Sequence, residues 1–243
     1  MSNLSHTIAI LGFNNHKITL SVLNYLRKSG CNDHILFYDN GSWPPFENLI
    51  TDSNITYHRN EKNIYVNPAW NEIFNMVETK YLTLLNNDCF IKSQKYFDDV
   101  IPHMEKNDII LSSCKTKNVR FSNFLVQSIY KLKYFRFNNT PLQYSSTARR
   151  QGWLMTLNLE IYKKIDYQIP DYLQVWYGDD WIMSQILLNK LNYAIYTNRY
   201  ALHVKATSTS KVTDIIQKDI ENIEIYGDWY KQITEEMHSK KYA

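Results

Sequence analysis

Cysteine is scarce in this chain, which has three among its 243 residues. Cys31, Cys89 and Cys114 lie far apart, and no CxxC pair occurs. This spacing argues against a disulfide framework and against a zinc site, because both need cysteines in pairs or clusters. The sequence therefore favours a reducing compartment, and we expect a cytoplasmic protein.

Long hydrophobic runs are also missing. No apolar stretch approaches the roughly 20 residues that a membrane-spanning helix requires. Residues 1–6 are polar and lead directly into a predicted strand. We therefore expect neither a signal peptide nor a transmembrane segment.

The chain has only a small excess of positive charge, with a net charge of +3 and a pI near 8.5. That balance is too small to indicate nucleic acid as a partner, although it suits a polyanionic small ligand. Repeats, low-complexity tracts and linker-like segments are absent as well. The length suits one large domain or two small ones, and the lack of a linker favours a single domain over residues 1–243.

What the sequence does contain is an alternation of apolar, strand-like runs with segments of helical period. This alternation predicts an α/β fold, with a mostly parallel central sheet flanked by helices. The region 121–137 is aromatic and basic, and its pattern favours no element. Strands are predicted over 7–13, 34–38, 55–58, 81–88, 108–112, 152–157 and 200–204. Helices are predicted from Ile18 to a glycine cap at Gly30, from an N-cap at Asn67 with Pro68 in the first turn, and over 159–165, 182–191 and 212–237.

Acidic side chains occur where several of these elements end or begin. Asp39 ends the second strand, Asp88 ends the fourth, and Asp179-Asp180 precede a later helix. Since parallel strands end along one edge of a sheet, Asp39 and Asp88 are expected to face the same crevice. A carboxylate there can bind Mn²⁺ or Mg²⁺ together with a phosphate, and a second carboxylate can act as a general base. His203 is a candidate further metal ligand through a neutral imidazole nitrogen.

Each of these residues also has an ordinary structural interpretation. Asp39-Asn40-Gly41 is typical of a tight turn, and Asp88 could be a solvated strand end. His203 could be a structural histidine. One acid of the pair Asp179-Asp180 is expected to be the N-cap of its helix. Asp179 is the better candidate for the cap, which makes Asp180 the better candidate for the base.

Seven short segments, in this order, resemble the motifs of the family 2 glycosyltransferases with the GT-A fold. The resemblance covers roughly Thr7 to Val204. The segments are Ile8–Asn14, Asp39-Asn40-Gly41-Ser42, Asn63–Asn71, Leu85–Asp88, Gly152–Asn158, Gly178–Trp181, and Asn192-Tyr193 with His203.

This resemblance implies a GT-A, Rossmann-like fold and an inverting, metal-dependent transfer of a sugar from a UDP- or GDP-sugar to a carbohydrate acceptor. It also implies a nucleotide-binding half at about 1–90, an acceptor-binding half at about 91–210 and a C-terminal helix at about 211–243. By the same resemblance the nucleotide-binding residues are Gly12, Phe13, Asn14, Asp39, Asn63, Asn71 and Asn87. The metal ligands are Asp88 and His203, and the general base is Asp180 or Asp179. The acceptor-binding residues are Arg150, Gly152, Trp153 and Trp181. Trp176 and Tyr177 flank the same acceptor side.

The chain departs from these motifs at three positions. Asn86 stands where the family has the first acid of its D-x-D motif, so metal binding depends on Asp88, with His203 as the candidate second ligand. The glycine of the family's N-x-G segment is replaced by Tyr65 after Asn63. The glutamate of its E-D pair is Asp179 here.

Three alternatives remain open at this point. A sugar nucleotidyltransferase normally has a loop rich in Gly and Arg or Lys after its first strand, and residues 12–16 are not such a loop. A non-catalytic module that binds nucleotide or carbohydrate would fit the sparse Asn86-Asn87-Asp88 motif. A two-metal nuclease has little support from the weak net charge.

Overall fold

In the computed structural model of this chain, residues 5–91, 95–119, 140–146, 152–204 and 212–242 are described. The segment 121–137, for which the sequence predicts no element, lies outside these ranges. So does Arg150, the predicted acceptor residue.

One mixed sheet runs through the described part of the chain. Its strands are β1 (His6–Gly12), β2 (His34–Asp39), β3 (Ile55–Arg59), β4 (Tyr81–Asn86), β5 (Cys89–Ile91), β6 (Ile109–Val119), β7 (Tyr144–Ser145), β8 (Leu154–Asn158) and β9 (Asn192–Val204). Their order is β3-β2-β1-β4-β8-β6-β9-β5, and β7 also pairs with β9. Only β5, β7 and β8 run against the other strands. The sheet is therefore mostly parallel, as the sequence predicts.

Helices cover both faces of this sheet. They are α1 (His16–Lys28), α2 (Val66–Met76), α3 (Tyr96–Lys106), α4 (Leu159–Tyr162), α5 (Gly178–Leu188), α6 (Thr213–Tyr226) and α7 (Asp228–Tyr242). Helices α1 and α3 pack on one face, and the other five pack on the opposite face. Ile8 and Ile10 of β1 join the first core and Ala9 joins the second, because neighbours along a strand point to opposite faces.

Among the described residues, no helix combines the length and apolar character that crossing a membrane requires.

Several strand boundaries differ from the prediction. β4 ends at Asn86, so Asp88 lies in the turn that leads to β5. β9 already begins at Asn192, because Lys190 adopts a φ of 54° and the preceding helix has stopped by then. The sequence does not predict β5 or β7, which have three and two residues and are too short to show a period. It also misses α3, whose internal Pro102 argues against a helix.

Two helices also begin or end where the sequence does not predict it. The N-cap of α2 is Tyr65, and Asn67 lies inside the helix, where its amide bonds to Trp176 instead of capping. The predicted C-terminal helix is two helices, α6 and α7, interrupted at Gly227. The backbone of Gly227 approaches the carbonyl oxygen of Ile223 so closely that a Cβ would collide with it.

A bulge in β9 decides where the end of that strand lies. Cys114 of β6 pairs with Tyr196 of β9, whereas the next residue, Lys115, pairs with Tyr200. Residues 197–199 are therefore left out of the β6 ladder. Beyond the bulge, β9 also pairs with β5, where Cys89 faces His203. Since β5 directly follows the turn at 87–88, the bulged strand carries its end to that turn.

Candidate active site

Asp88 and His203, the two predicted metal ligands, lie side by side. Oδ1 of Asp88 is 3.4 Å from Nε2 of His203. Both residues are nearly buried, at 5% and 9% exposed. The pairing of β5 with β9 and a hydrogen bond from Val204 N–H to the carbonyl of Asp88 (3.0 Å) fix this arrangement.

The imidazole of His203 is held from two further sides. Its Nδ1 lies 3.0 Å from Oδ1 of Asn118, and the ring of Trp153 stacks on it at 4.0 Å with the planes 14° apart. With the proton on Nδ1, the histidine donates to Asn118 and keeps a lone pair on Nε2, on the side of Asp88. Contacts of this kind orient histidines that bind metals.

A divalent cation fits this pair chemically. The carboxylate of Asp88 suits both Mg²⁺ and Mn²⁺, and the softer imidazole nitrogen of His203 favours Mn²⁺. Within the ranges given above, no group of three or more His, Cys, Asp or Glu side chains could hold a metal ion. Two protein ligands are sufficient for an ion whose other ligands are phosphate oxygens and water.

Asp179 packs against Gly152, at the start of the predicted acceptor segment. A Cβ built on Gly152 would lie 2.8 Å from Oδ2 of Asp179 and 2.9 Å from its carboxyl carbon. Any side chain at this position would therefore displace the carboxylate. Gly152 precedes Trp153, whose ring covers His203. Two consecutive residues thus connect a candidate base to the candidate metal ligands.

Neither acid of the pair caps α5, so the expected N-cap is wrong. The N-cap is Tyr177, in the left-handed region with a φ of 62° and without a side-chain cap. Asp179 and Asp180 lie in the first turn, where the helix dipole favours negative charge. Position 178, the first of the helix, requires glycine because a Cβ there would collide with the amide oxygen of Asn67. Capping therefore does not distinguish Asp180 from Asp179.

Trp181 lies in the core and not on an open acceptor surface. It is 8% exposed and packs edge-on against Trp229 of α7, with ring centroids 5.2 Å apart. Trp176, in the loop before α5, is 44% exposed. Of these two tryptophans, Trp176 is therefore the better placed to contact an acceptor sugar.

Asp39 is fully buried, and the turn after β2 engages its carboxylate. Oδ1 accepts the N–H of Ser42 at 2.9 Å, and Oδ2 accepts the N–H of Phe46 at 3.2 Å. Oδ2 also accepts the hydroxyl of Tyr57 at 2.7 Å and lies 3.8 Å from Nε of Arg59. Burial and then the hydrogen bond and charge of Asp39 raise the pKa of Tyr57, which keeps its hydroxyl a donor. The nucleobase contact of Asp39 stays a prediction.

Asn63 belongs to a small network around the backbone of Tyr65. Nδ2 of Asn40 donates to Oδ1 of Asn63 at 2.9 Å and to the carbonyl of Tyr65 at 2.8 Å. Oδ1 of Asn63 also accepts the N–H of Tyr65 at 2.8 Å. Tyr65 has φ 69° and ψ −171°, a combination that is essentially restricted to glycine. At the position where the family motif has glycine, a tyrosine thus adopts a backbone conformation that favours glycine.

Other nucleotide-binding candidates lie at the edge that follows β1 and β4. The N–H of Asn14 donates to Oγ of Ser42 at 2.8 Å, and its Oδ1 accepts the N–H of Trp43 at 2.9 Å. The carbonyl of Gly12 accepts the N–H of Asn40 at 2.8 Å. These bonds join the end of β1 to the turn after β2. Trp43, which the sequence reasoning missed, is 82% exposed at this edge.

Three further candidates have the following positions. Phe13 is partly buried directly after β1. Asn87 donates from Nδ2 to Oγ1 of Thr19 in α1 at 2.9 Å. Asn71, within α2, exchanges two hydrogen bonds of 2.8 Å with the backbone of Ile169. Both ends of the Asn71 amide therefore hold another part of the chain, and its contact with a nucleotide stays a prediction.

Sequence reasoning also missed Asp219 of α6, a fully buried carboxylate. Its Oδ1 accepts the N–H of Gln174 at 2.8 Å, and its Oδ2 accepts those of Val175 and Trp176 at 2.7 and 2.8 Å. These residues lie shortly before Gly178 and the acidic pair. An aspartate within a helix of mixed charge normally suggests a solvated face, so the sequence pattern carries no signal for it.

Comparison with known proteins identifies the family. The model of glycosyl transferase family 2 matches residues 7–166. The chain belongs to this family. Asp179, Asp180 and His203 lie beyond the matched residues. No curated protein sequence matches the chain.

Solved structures show the same architecture for this family 2 member. A crystal structure of GalNAc-T7 with UDP, GalNAc and Mn²⁺ superimposes with a TM-score of 0.67 at 14% sequence identity. The match covers 95% of this chain and 50% of that one, so the chain spans about half the length of the structure that it resembles. The likeness shows a GT-A fold.

Proposed function

We propose that this protein transfers a sugar from a nucleoside diphosphate donor to the hydroxyl of a carbohydrate acceptor, with inversion at the anomeric carbon and with the help of Mn²⁺ or Mg²⁺. The observation that carries this proposal is one continuous series of contacts. It runs from Asp88 to His203, from His203 to Trp153, and from Gly152 to Asp179. The two side chains proposed to bind the cation and the proposed general base are thereby joined through the segment predicted to bind the acceptor.

On the donor side, Asp88 and His203 would hold the cation, which when bound offsets negative charge on the diphosphate. The edge formed by Gly12, Asn14 and the turn after β2 would bind the nucleoside of a UDP- or GDP-sugar. The exposed ring of Trp43 offers a flat apolar face to a base. We propose that residues of about 1–90 form this donor half and that residues of about 91–210 form the acceptor half. The segment at about 211–243 contains the C-terminal helices.

On the acceptor side, a carboxylate of the acidic pair would take the proton from the acceptor hydroxyl. The acceptor oxygen forms a bond to the anomeric carbon as the bond from that carbon to the phosphate oxygen breaks, and the diphosphate leaves with the bonding electrons. The contact with Gly152 favours Asp179 as this base. Trp153 and Trp176 are the aromatic side chains proposed to pack on the acceptor.

A panel of UDP- and GDP-sugars, screened by thermal shift with and without Mn²⁺, tests this function first. A true donor raises the melting temperature by mass action, and part of this rise depends on the metal. Turnover of the donor that binds, to free nucleoside diphosphate and a glycoside, then separates a transferase from its alternatives. Binding without any metal-dependent turnover would favour the non-catalytic module, and release of pyrophosphate from a nucleoside triphosphate and a sugar phosphate would favour the nucleotidyltransferase.

We also propose that the protein works in the cytoplasm. All three cysteines are free thiols in the structure, which is the usual state in a reducing compartment. Fractionation of the source cells with an antibody against the protein tests this proposal.

A further inference from the structure

We propose that Asp219 is a positioning residue for the catalytic carboxylates, and that helix α6 is thereby part of the active-site machinery. This inference rests on the proposed function. Three consecutive N–H groups, of Gln174, Val175 and Trp176, converge on the Asp219 carboxylate at 2.7–2.8 Å. Convergent backbone N–H groups form a concave site for an anion, and here a side chain of the same protein is that anion.

The opposite side of this loop is fixed by the start of α2. The carbonyl of Gln174 accepts the N–H groups of Val66 and Asn67, both at 3.0 Å. Nδ2 of Asn67 donates to the carbonyl of Trp176 at 2.9 Å. The loop 174–176 is therefore clamped between α6 on one side and α2 on the other, and Asp219 supplies the α6 side of the clamp.

From the clamp to the acidic pair the chain has little freedom. Tyr177 alone separates the loop from α5, and Gly178 lies directly against Asn67. The first turn of α5 then carries Asp179 to Gly152. A shift of the loop moves this carboxylate, and a misplacement of about 1 Å at a reacting group costs on the order of 10²-fold in rate.

Helices α6 and α7 also support the segment before the loop through two neutral hydrogen bonds to Tyr172. Asn222, on α6, donates from Nδ2 to the carbonyl of Tyr172 at 2.7 Å. Nε1 of Trp229, on α7, lies 3.0 Å from the hydroxyl of Tyr172. The C-terminal helices thus hold the segment 172–176 at two places, and Asp219 makes the larger number of these bonds.

Asp219→Asn is the sharpest test, because it preserves the shape of the side chain. The amide keeps one acceptor oxygen but turns an N–H₂ group toward N–H groups of the loop, which loosens the clamp. Asp214→Asn is the matched control, since Asp214 is an exposed acid in the first turn of the same helix. The full chain is used for wild type and both variants, with the donor found in the thermal-shift panel.

For Asp219→Asn we expect kcat to fall about 10- to 100-fold while the KM for the donor stays within about twofold, because the donor half is untouched. Backbone amides of residues 173–177 should exchange hydrogen faster than in wild type, and amides of β1 and β4 should not change. Asp214→Asn should behave as wild type in all three measurements. Asn222→Ala, which removes one neutral bond, should cause a smaller change in the same direction and serves if Asp219→Asn does not fold.

Two results would overturn the proposal: an unchanged kcat in Asp219→Asn, or unchanged hydrogen exchange of residues 173–177. If Asp219→Asn unfolds globally, with β1 and β4 exchanging as fast as the loop, the same two measurements on Asn222→Ala decide in its place. The hydrogen-exchange result does not depend on turnover. An inactive wild type would therefore refute the proposed function while the exchange data still decide whether Asp219 orders the loop.

Discussion

Trp153 lies flat against His203, with ring centroids 4.0 Å apart and the planes only 14° from parallel. One ring belongs to the segment at the start of β8, and the other to the end of β9. Trp153 also accepts the N–H of Asn86 on its carbonyl at 3.0 Å, next to the turn that holds Asp88. The acceptor side and the cation side of the proposed site are thus physically in contact, and a change at either side should be measurable at the other.

Asp88→Asn should remove most of the metal-dependent part of donor binding, because a neutral amide oxygen attracts a divalent cation much less strongly than a carboxylate does. A donor at 100 times its dissociation constant stabilises the fold by about 2.7 kcal/mol, and most of the share of this that requires Mn²⁺ should disappear. The measurement is the melting temperature with donor, with and without metal. Asp228→Asn, at an exposed acid in the first turn of α7, is the control and should retain the full shift. A metal-dependent shift that survives undiminished in Asp88→Asn would exclude Asp88 as the metal ligand.

Asp179→Asn and Asp180→Asn should differ in their effect on the rate. Removal of a general base typically costs about 10²–10⁴-fold, and the contact with Gly152 leads us to expect this loss for Asp179→Asn. The other variant should retain most of the rate, and both should bind the donor normally. Single-turnover transfer rates measure this directly. If Asp180→Asn shows the larger loss, the roles of the two acids are reversed, and if both variants stay active neither is the base.

Gly152→Ala should reduce activity without unfolding the protein. The new methyl group would lie 2.8 Å from Oδ2 of Asp179 and must push the carboxylate aside. We expect kcat to fall about 10- to 100-fold. Gly30→Ala is the control, because Gly30 has a φ of +86° but no atom within 4 Å of the added Cβ. That substitution should lower stability by about 1 kcal/mol and leave kcat unchanged. A Gly152→Ala enzyme as active as wild type would mean that Asp179 has room to move without loss.

Tyr65→Gly should be more stable than Tyr65→Ala. At φ 69° and ψ −171° alanine shares the backbone strain of tyrosine, whereas glycine does not. Comparing the two variants cancels the loss of the tyrosine ring, and we expect a difference of about 1 kcal/mol in the free energy of unfolding. Chemical denaturation measures it. If Tyr65→Ala is instead more stable than Tyr65→Gly, the backbone at residue 65 relaxes to an ordinary conformation and the prediction is wrong.

The three thiols should be unreactive in the native protein at pH 8. Burial, and after it the nearby charge of Asp33, raises the pKa of Cys31 to about 12. Burial likewise raises the pKa of Cys114 to about 12 and that of Cys89 well above its usual value. Because the thiolate is the nucleophile, alkylation of the native protein by iodoacetamide should be slow at pH 8. The denatured protein should take up three labels at pH 8, and mass spectrometry counts them. Equally fast labelling of the native protein would contradict the prediction.

The first half of the fold was predictable because its signals are local. The apolar runs of β1, β2 and β4 are buried on both faces, and each leads into a polar turn, so the edge with Asp39 and Asp88 follows from the pattern alone. Gly30 ends α1 for a similar local reason, since its φ of +86° suits glycine. The family match confirms the resemblance over this region.

The parts that could not be predicted depend on contacts between distant segments. Tyr65 and Tyr177 begin helices from positive φ, which no preference of tyrosine suggests. Asn67 looks like a cap in the sequence, but its amide is used by Trp176 across the fold. The sequence predicts that Trp181 binds the acceptor, but Trp229 packs against its ring in the core. The contacts of Asp219 arise only because α6 packs against the loop before α5.

The bulge at residues 197–199 determines where His203, a proposed cation ligand, lies relative to Asp88. The number of residues between Tyr196 and His203 sets which side of the strand carries the imidazole, and removing one residue would turn it to the reverse side. In the proposed cation site, the chain length of the bulge is therefore expected to control metal affinity as effectively as the identity of the ligands does. Insertions and deletions there offer a way to tune, or to silence, this site while the chemistry of its side chains is preserved.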